Sequence, residues 1–146
     1  MIISRGALLL FAAVGCLGVP QEANSQSHSH AHHHAGTTLD VKLGEAPKIV
    51  EIKVLKDASS GFNLLIRTEN FTFAPELVNT AHSPGKGHAH IYVDGVKLGR
   101  LYGTAFHLEK LAPGKRQIEV TLNANDHREY AVGGKKISAS TVITVQ

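Results

Sequence analysis

Hydrophobic residues alternate with polar ones along most of the chain after residue 39. In residues 48–55, Val50, Ile52 and Val54 fall on one face, and the same period of two recurs in four later segments: residues 62–68, 88–94, 116–122 and 137–145. Many of the alternating positions carry β-branched side chains, which is typical of half-buried strands. The pattern predicts a series of short β-strands, since no segment has a helical stripe longer than two turns.

Turn sequences separate these segments at the spacing that a β-sandwich requires. Asp94-Gly95 is a strong signal for a two-residue hairpin between residues 88–93 and 96–102. Ala112-Pro113-Gly114 and Gly133-Gly134 mark two further reversals. We therefore predict an all-β fold for residues 39–146, an immunoglobulin-like antiparallel β-sandwich of about seven strands.

The first 38 residues lack this alternation. Residues 1–25 join a positively charged start to a short apolar run at residues 6–15, which is the pattern of a secretory signal peptide. Cleavage after Ser25 would leave an exported domain preceded by a His-rich tail at residues 26–38, which we expect to be disordered. Alternatively, residues 13–16 resemble a bacterial lipobox, and Cys16 would then carry a lipid anchor. Both interpretations predict a periplasmic or secreted protein, membrane-anchored in the second case, with no transmembrane span after processing.

Two residue types that bind soft metals are almost missing. Cys16 is the only cysteine and Met1 the only methionine, so the predicted domain has no disulfide, thiolate or thioether. This excludes a blue-copper centre, a thioether site for Cu(I) and thiol catalysis. The formal net charge is +3, with lysines interspersed among acidic residues, and this pattern does not favour nucleic-acid binding.

Histidine is concentrated in two parts of the chain. Five of the ten histidines lie within residues 28–34, and the other five follow in the predicted domain. On a strand, His88 and His90 project from the same face about 6.5 Å apart, so two imidazoles there can bind one ion. His107, and Asp126 or His127 in the loop after residue 122, are candidates to complete the site. The predicted metal ligands are thus His88, His90, His107, Asp126 and His127 in the domain, and His28, His30, His32, His33 and His34 in the tail.

The cleavage site decides what the tail can bind. If cleavage falls after Ser25, the free amine of Gln26, two backbone amides and His28 supply four nitrogens that suit square-planar Cu(II) or Ni(II). If Cys16 is lipidated instead, that arrangement is lost and the histidine run is a flexible collector of ions.

Residues 60–146 resemble a group of small exported bacterial β-sandwich proteins with a Gly-His-x-His-x-Tyr-Val-Asp-Gly core. The matching segments are residues 70–76, 87–95, 100–103, 106–108 and 122–127. More loosely, export, a His-rich N-terminus and an immunoglobulin-like barrel make the chain similar to the periplasmic copper-resistance C proteins. That similarity implies Cu(II) binding through histidines near the N-terminus, although this chain lacks the Met-rich Cu(I) loop of that family.

The sequence thus predicts an exported metal-binding protein that sequesters or delivers Cu(II), with zinc as the alternative ion. A periplasmic metal-transport or metal-resistance protein is the expected partner. No enzyme is predicted, because no general base or nucleophile accompanies the histidines. Two alternatives stay open. An envelope scaffold with incidental or pH-sensing histidines predicts that His88, His90 and His107 lie far apart. A His-ligated metal-dependent enzyme requires an open coordination position beside an apolar pocket.

Overall fold

The computed structural model describes residues 37–146, which form two β-sheets and a single short 3₁₀ turn (Pro75–Leu77) in that range. This confirms the predicted all-β sandwich. The strands are, in chain order, β1 (Thr38–Asp40), β2 (Lys48–Lys56), β3 (Phe62–Glu69), β4 (Thr72–Phe73), β5 (Lys86–Val93), β6 (Val96–Leu101), β7 (Ala105–Leu108), β8 (Gly114–Ala124), β9 (Glu129–Val132), β10 (Lys135–Lys136) and β11 (Ser138–Val145).

The larger sheet has eight strands and is organised by β8. Its main path is β1-β9-β8-β5-β4, while β11 pairs with β8, β6 with β5 and β10 with β9. One edge of β8 pairs with β11 over residues 114–121, and the other pairs with β5 over residues 118–124. The smaller sheet has the order β2-β3-β7.

The structure has more strands than the sequence pattern predicts, and two of the strand pairs are parallel. The additional strands β1, β4 and β10 have only two or three residues each. β1 pairs with β9, and β4 with β5, in parallel. Alternation becomes visible only over four or more residues, so strands this short leave no periodic signal.

The core lies between the two sheets and is built from the alternating positions. Ala89 and Ile91 of β5, Val120 and Leu122 of β8, and Leu64 of β3 are all fully buried. Because successive side chains on a strand point to opposite faces, His88 and His90 must then project from the other face of the larger sheet.

The predicted inward face of β2 is wrong at one position. A register shift between Ile49 and Glu51 marks a β-bulge, which places Ile49 against the core and leaves Val50 39% exposed. A bulge adds one residue to a strand and reverses the alternation on one side of it. Ile52 and Val54 lie beyond the bulge and face the core as expected.

The Asp94-Gly95 hairpin is confirmed and helps to align β5 with β8. Both residues have positive φ, 50° and 79°, as a two-residue hairpin turn requires. Asp94 Oδ1 accepts a hydrogen bond from the Gln117 backbone N–H at 2.9 Å, and Asp94 N–H donates to the Gln117 carbonyl at 2.9 Å. This contact fixes the register that places His88 opposite Asn123 and His90 opposite Thr121.

The predictions for the signal peptide, the lipobox and the tail histidines fall on residues 1–36, outside the described residues. Strand β1 begins at Thr38, one residue before the predicted start of the domain. Within residues 37–146 the structure contains no helix of the length and apolarity needed to cross a membrane.

Candidate metal centre

Strand β5 brings two imidazoles into direct contact. His88 Nε2 and His90 Nε2 lie 3.0 Å apart, on the side of the larger sheet that faces away from the core. If both nitrogens bound one ion at 2.0–2.1 Å, they would be separated by about 2.9 Å at a right angle and about 3.3 Å at a tetrahedral angle. The observed separation lies within that range, so the pair can bind one ion with little movement.

A tight turn adds the third histidine. The turn between β8 and β9 is closed by Ala124 N–H donating to the Arg128 carbonyl at 2.8 Å and by His127 N–H donating to the Ala124 carbonyl at 2.9 Å. The imidazole rings of His127 and His88 are 5.0 Å apart between centroids. One ligand atom from each of His88, His90 and His127 lies within 4.8 Å of the others, which makes these residues a candidate metal centre.

His127 adopts a backbone conformation that costs energy for a residue with a side chain. Its φ is +71°, in the left-handed region that glycine occupies more readily, and the cost is about 1–2 kcal/mol. His127 Nε2 lies 2.5 Å from Asn79 Oδ1, and because an amide oxygen only accepts, the imidazole proton is on Nε2. The Nδ1 lone pair is left available, an arrangement typical of metal-binding histidines.

The histidine face of β5 is buried, whereas the sequence pattern alone placed it on a polar surface. His88 is 0% exposed and His90 6% exposed. The ring of Tyr102 lies 5.4 Å from that of His88, between centroids, and the ring of His127 flanks it at 5.0 Å. Asn123 and Thr121 of β8 are also buried, so the centre lies in a polar pocket covered by loops rather than on an open sheet.

Two ring nitrogens of the histidine pair, His90 Nε2 and His88 Nδ1, lack adequate hydrogen-bond partners. Lys97 Nζ lies 3.0 Å from His90 Nε2, the same atom that His88 Nε2 contacts at 3.0 Å. When His90 Nε2 is the acceptor, its single lone pair is shared by two donors. His88 Nδ1 is buried without a partner. Such unsatisfied polar groups are rare in protein interiors. A cation bound by the two Nε2 atoms would replace the crowded contacts at His90 Nε2, whereas His88 Nδ1 lies on the other side of its ring and would still need a partner.

Burial keeps these histidines neutral. It is the main reason that the pKa of His88 is lowered to about 4 and that of His90 to about 3. The positive charges of Lys97 and Arg100 lower both values further. Burial is also the largest cause of the lowered pKa of His127. Neutral imidazole is the form that binds metals, so near pH 7 the His88–His90 pair does not have to lose its charge first.

A bulge in strand β6 brings Arg100 to this face beside Lys97. The two-residue hairpin places Lys97 opposite Tyr92, and the register then shifts between Ile91 and Tyr92, so that Arg100 lies opposite His90. Arg100 Nη1 donates to the Tyr102 hydroxyl at 3.5 Å, a long contact. The carboxylates on either side of His127 are already paired. Asp126 binds Arg128 at 2.7 Å, and Glu129 lies 2.7 Å from Lys136 Nζ.

The structure separates the remaining predicted ligands from this centre. His107 lies on β7 in the smaller sheet, where its Nδ1 is 2.9 Å from Asn63 Oδ1. Asp126 lies beside His127, but both its carboxylate oxygens are used by Arg128. Lys97, Asn79 and Tyr102 were not predicted from the sequence. The hairpin register places Lys97 opposite Tyr92, although the sequence analysis did not single it out. The position of Tyr102 follows from the bulge and that of Asn79 from a loop, so no periodic signal marks these two.

No family model, curated protein or solved structure matches the chain. Its function must therefore be argued from the site itself.

Proposed function

We propose that this is an exported metal-binding protein that holds Cu(II) at His88, His90 and His127 and acts in metal sequestration or delivery. The observation that carries the proposal is the 3.0 Å separation of two buried Nε2 atoms with a third imidazole beside them. The neutral charge and the burial of these two rings support it.

The donor set favours copper. The three candidate donors are imidazole nitrogens, and the neighbouring carboxylates Asp126 and Glu129 are paired with cations. Imidazole suits Cu(II), Zn(II) and Ni(II), whereas Ca²⁺ and Mg²⁺ require oxygen ligands. Among divalent ions of the first transition row, nitrogen sites bind Cu(II) most tightly. Zinc is the competitor that a titration must include.

We assign the tail histidines a collecting role. A run of several imidazoles binds ions with many equivalent geometries, whereas the folded centre offers one. The tail would therefore capture Cu(II) and the centre would retain it. The expected partner is a periplasmic protein of metal transport or metal resistance, which takes the ion from this chain or supplies it.

The test is a calorimetric titration of chelator-treated protein with Cu(II) and with Zn(II). The variant used carries the complete processed chain with His28, His30, His32, His33 and His34 replaced by Ser, so that tail binding does not hide the centre. One ion per chain should bind, with a Kd below about 10 µM, and Cu(II) should bind more tightly than Zn(II).

Replacing His88 by Gln should then weaken Cu(II) binding at least about tenfold, because the buried pair loses one donor. The matched control is His107→Gln, which changes an exposed histidine of the smaller sheet and should have no effect. Circular dichroism checks that each variant is folded. A Kd weaker than about 10 µM for the tail-substituted parent would refute the proposal, as would equal affinities of the His88→Gln and His107→Gln variants.

A further inference from the structure

We infer that the metal ion at this centre also binds a small anion, which Lys97 and Arg100 hold in place. The inference rests on the proposed metal-binding function and adds a second ligand to it. The ligand class is a small anion able to coordinate a divalent ion, such as a carboxylate or an inorganic anion.

Residues 37–146 supply three histidine donors at this centre, which is fewer than these ions usually bind. His88, His90 and His127 form the complete group of ligand atoms that lies within 4.8 Å in the described part of the chain. Zinc and copper commonly bind at least four donors, and three-His sites leave the remaining position to water or another exogenous ligand. A coordination position is therefore left for a ligand from solution.

The charges around this position favour an anion. Three neutral imidazoles leave the charge of a divalent ion uncompensated. Lys97 Nζ is 3.0 Å from His90 Nε2, and Arg100 lies opposite His90 on the neighbouring strand. Two positive charges thus lie beside a site that would hold a third charged centre. Glu129 acts on Lys97 and Asp126 on His127, but each carboxylate is also paired with another cation, Lys136 and Arg128 respectively.

Lys97 has to change partner when the metal binds. In the structure its ammonium group donates to the His90 lone pair that the ion would need. Metal binding takes that lone pair and frees the ammonium N–H groups, which can then donate to an anion on the ion. Both Lys97 and Arg100 are exposed residues of strand β6, so an anion can reach them from solvent.

This double role gives Lys97 an unusual signature. Its positive charge competes with the metal in the absence of an anion, but it stabilises the anion once the metal is bound. Lys97→Gln should therefore tighten Cu(II) binding and weaken anion binding. If Lys97 only supported the fold, its replacement would change the Cu(II) affinity and the anion affinity in the same direction, or would leave both unchanged.

The experiment uses the complete processed chain with serines in place of the tail histidines, in a non-coordinating buffer, with azide as the probe. Cu(II) affinity is measured first by calorimetry. Azide is then titrated into the copper-loaded protein and followed by the azide-to-copper charge-transfer absorption. Lys97→Gln should bind Cu(II) several-fold more tightly and azide about tenfold more weakly, the change expected when one charge is removed at about 6 Å in a partly exposed site. Arg100→Gln should weaken azide binding in the same direction.

Lys56→Gln is the matched control, because it removes the same charge from an exposed position on β2 in the smaller sheet. It should leave both affinities unchanged. If copper binds but azide binds equally well to wild type and Lys97→Gln, the anion inference is overturned and metal binding stands. Azide binding to the metal-free protein with equal affinity, measured by calorimetry, would also overturn it. If the tail-substituted parent does not bind copper, both proposals fail.

Discussion

Acidification should destabilise the metal-free protein through His88 and His90. Both are buried and neutral, with pKa values lowered to about 4 and about 3 from an ordinary value of 6.5. In the unfolded chain the same side chains titrate near 6.5. As the pH falls below 6.5, the unfolded state therefore binds protons that the folded state does not, and the free energy of unfolding decreases.

The size of the effect follows from the pKa shifts. One pKa unit corresponds to about 1.4 kcal/mol. At pH 4.5, two units below the unfolded value, the first of these histidines to be kept neutral costs the folded state roughly 2–3 kcal/mol. The two rings are in contact and titrate as a pair, so together they remove several kcal/mol, a large share of the stability of a small domain, about 5–15 kcal/mol. His127, whose pKa is also lowered, acts in the same direction.

The assay is urea denaturation of chelator-treated protein at several pH values between 7.5 and 4.5, followed by circular dichroism. His88→Gln should reduce the slope between pH 6 and pH 5 by about 1.4 kcal/mol per pH unit, because one proton fewer is bound on unfolding. His107→Gln changes an exposed histidine and should leave the slope as in the wild type. The urea midpoint at pH 7.5 corrects for any loss of packing in each variant.

Parallel stability curves for wild type and His88→Gln would refute this reasoning. They would mean that water or local opening solvates the imidazole and that the site is not buried in solution. Copper gives a second check. A bound ion adds stability at neutral pH, and protons displace the ion at low pH. The free energy of unfolding should therefore decrease more on acidification when copper is present.

Two further predictions concern the packing beside the site. In Gly87→Ala a Cβ would lie 1.9 Å from the Asn123 carbonyl oxygen, so β5 and β8 must separate. We expect the free energy of unfolding to fall by at least about 3 kcal/mol. In the control Gly99→Ala the atom nearest to the new Cβ is at 3.8 Å, and the free energy of unfolding should fall by less than about 1 kcal/mol. Urea denaturation compares the two, and equal losses would contradict the clash. Tyr130→Phe removes a hydroxyl that donates to the Lys86 carbonyl at 3.0 Å, at a cost of about 1 kcal/mol. Because burial raises the pKa of Tyr130 to about 12 from 10.0, wild-type stability should also fall as the pH rises above 10. The decrease should be smaller in the variant, which keeps the contribution of Tyr92, whose pKa burial also raises; equal alkaline slopes would contradict this.

Much of the fold could be predicted because it depends on local sequence patterns. The alternation in residues 88–93 predicted strand β5, its buried face at Ala89 and Ile91, and the shared face of His88 and His90. Asp94-Gly95 predicted the hairpin that follows. These features depend on neighbours two to four residues apart, over which the geometry of a strand or turn is nearly constant.

The bulges could not be predicted in this way. At Val50 an extra residue moved a hydrophobic side chain outward, and near Leu98 another placed Arg100 on the histidine face and Leu101, only 4% exposed, in the core. Strict alternation after Asp94-Gly95 would instead pair Arg100 with Ala89 and point it into the core. A bulge is defined by how one strand pairs with another, so the sequence of either strand alone does not indicate it.

The sequence by itself determined that this chain forms strands, that His88 and His90 share a face, and that thiolate and thioether metal sites are excluded. Tertiary structure decided the rest of the candidate centre. It selected His127, 39 residues from His88, and not His107, because β8 pairs with β5 while β7 pairs with β3 in the other sheet. It also buried the histidines and placed Arg100 and Tyr102 beside them. Register and sheet membership depend on contacts between distant segments, and these contacts determine which side chains can share one ion.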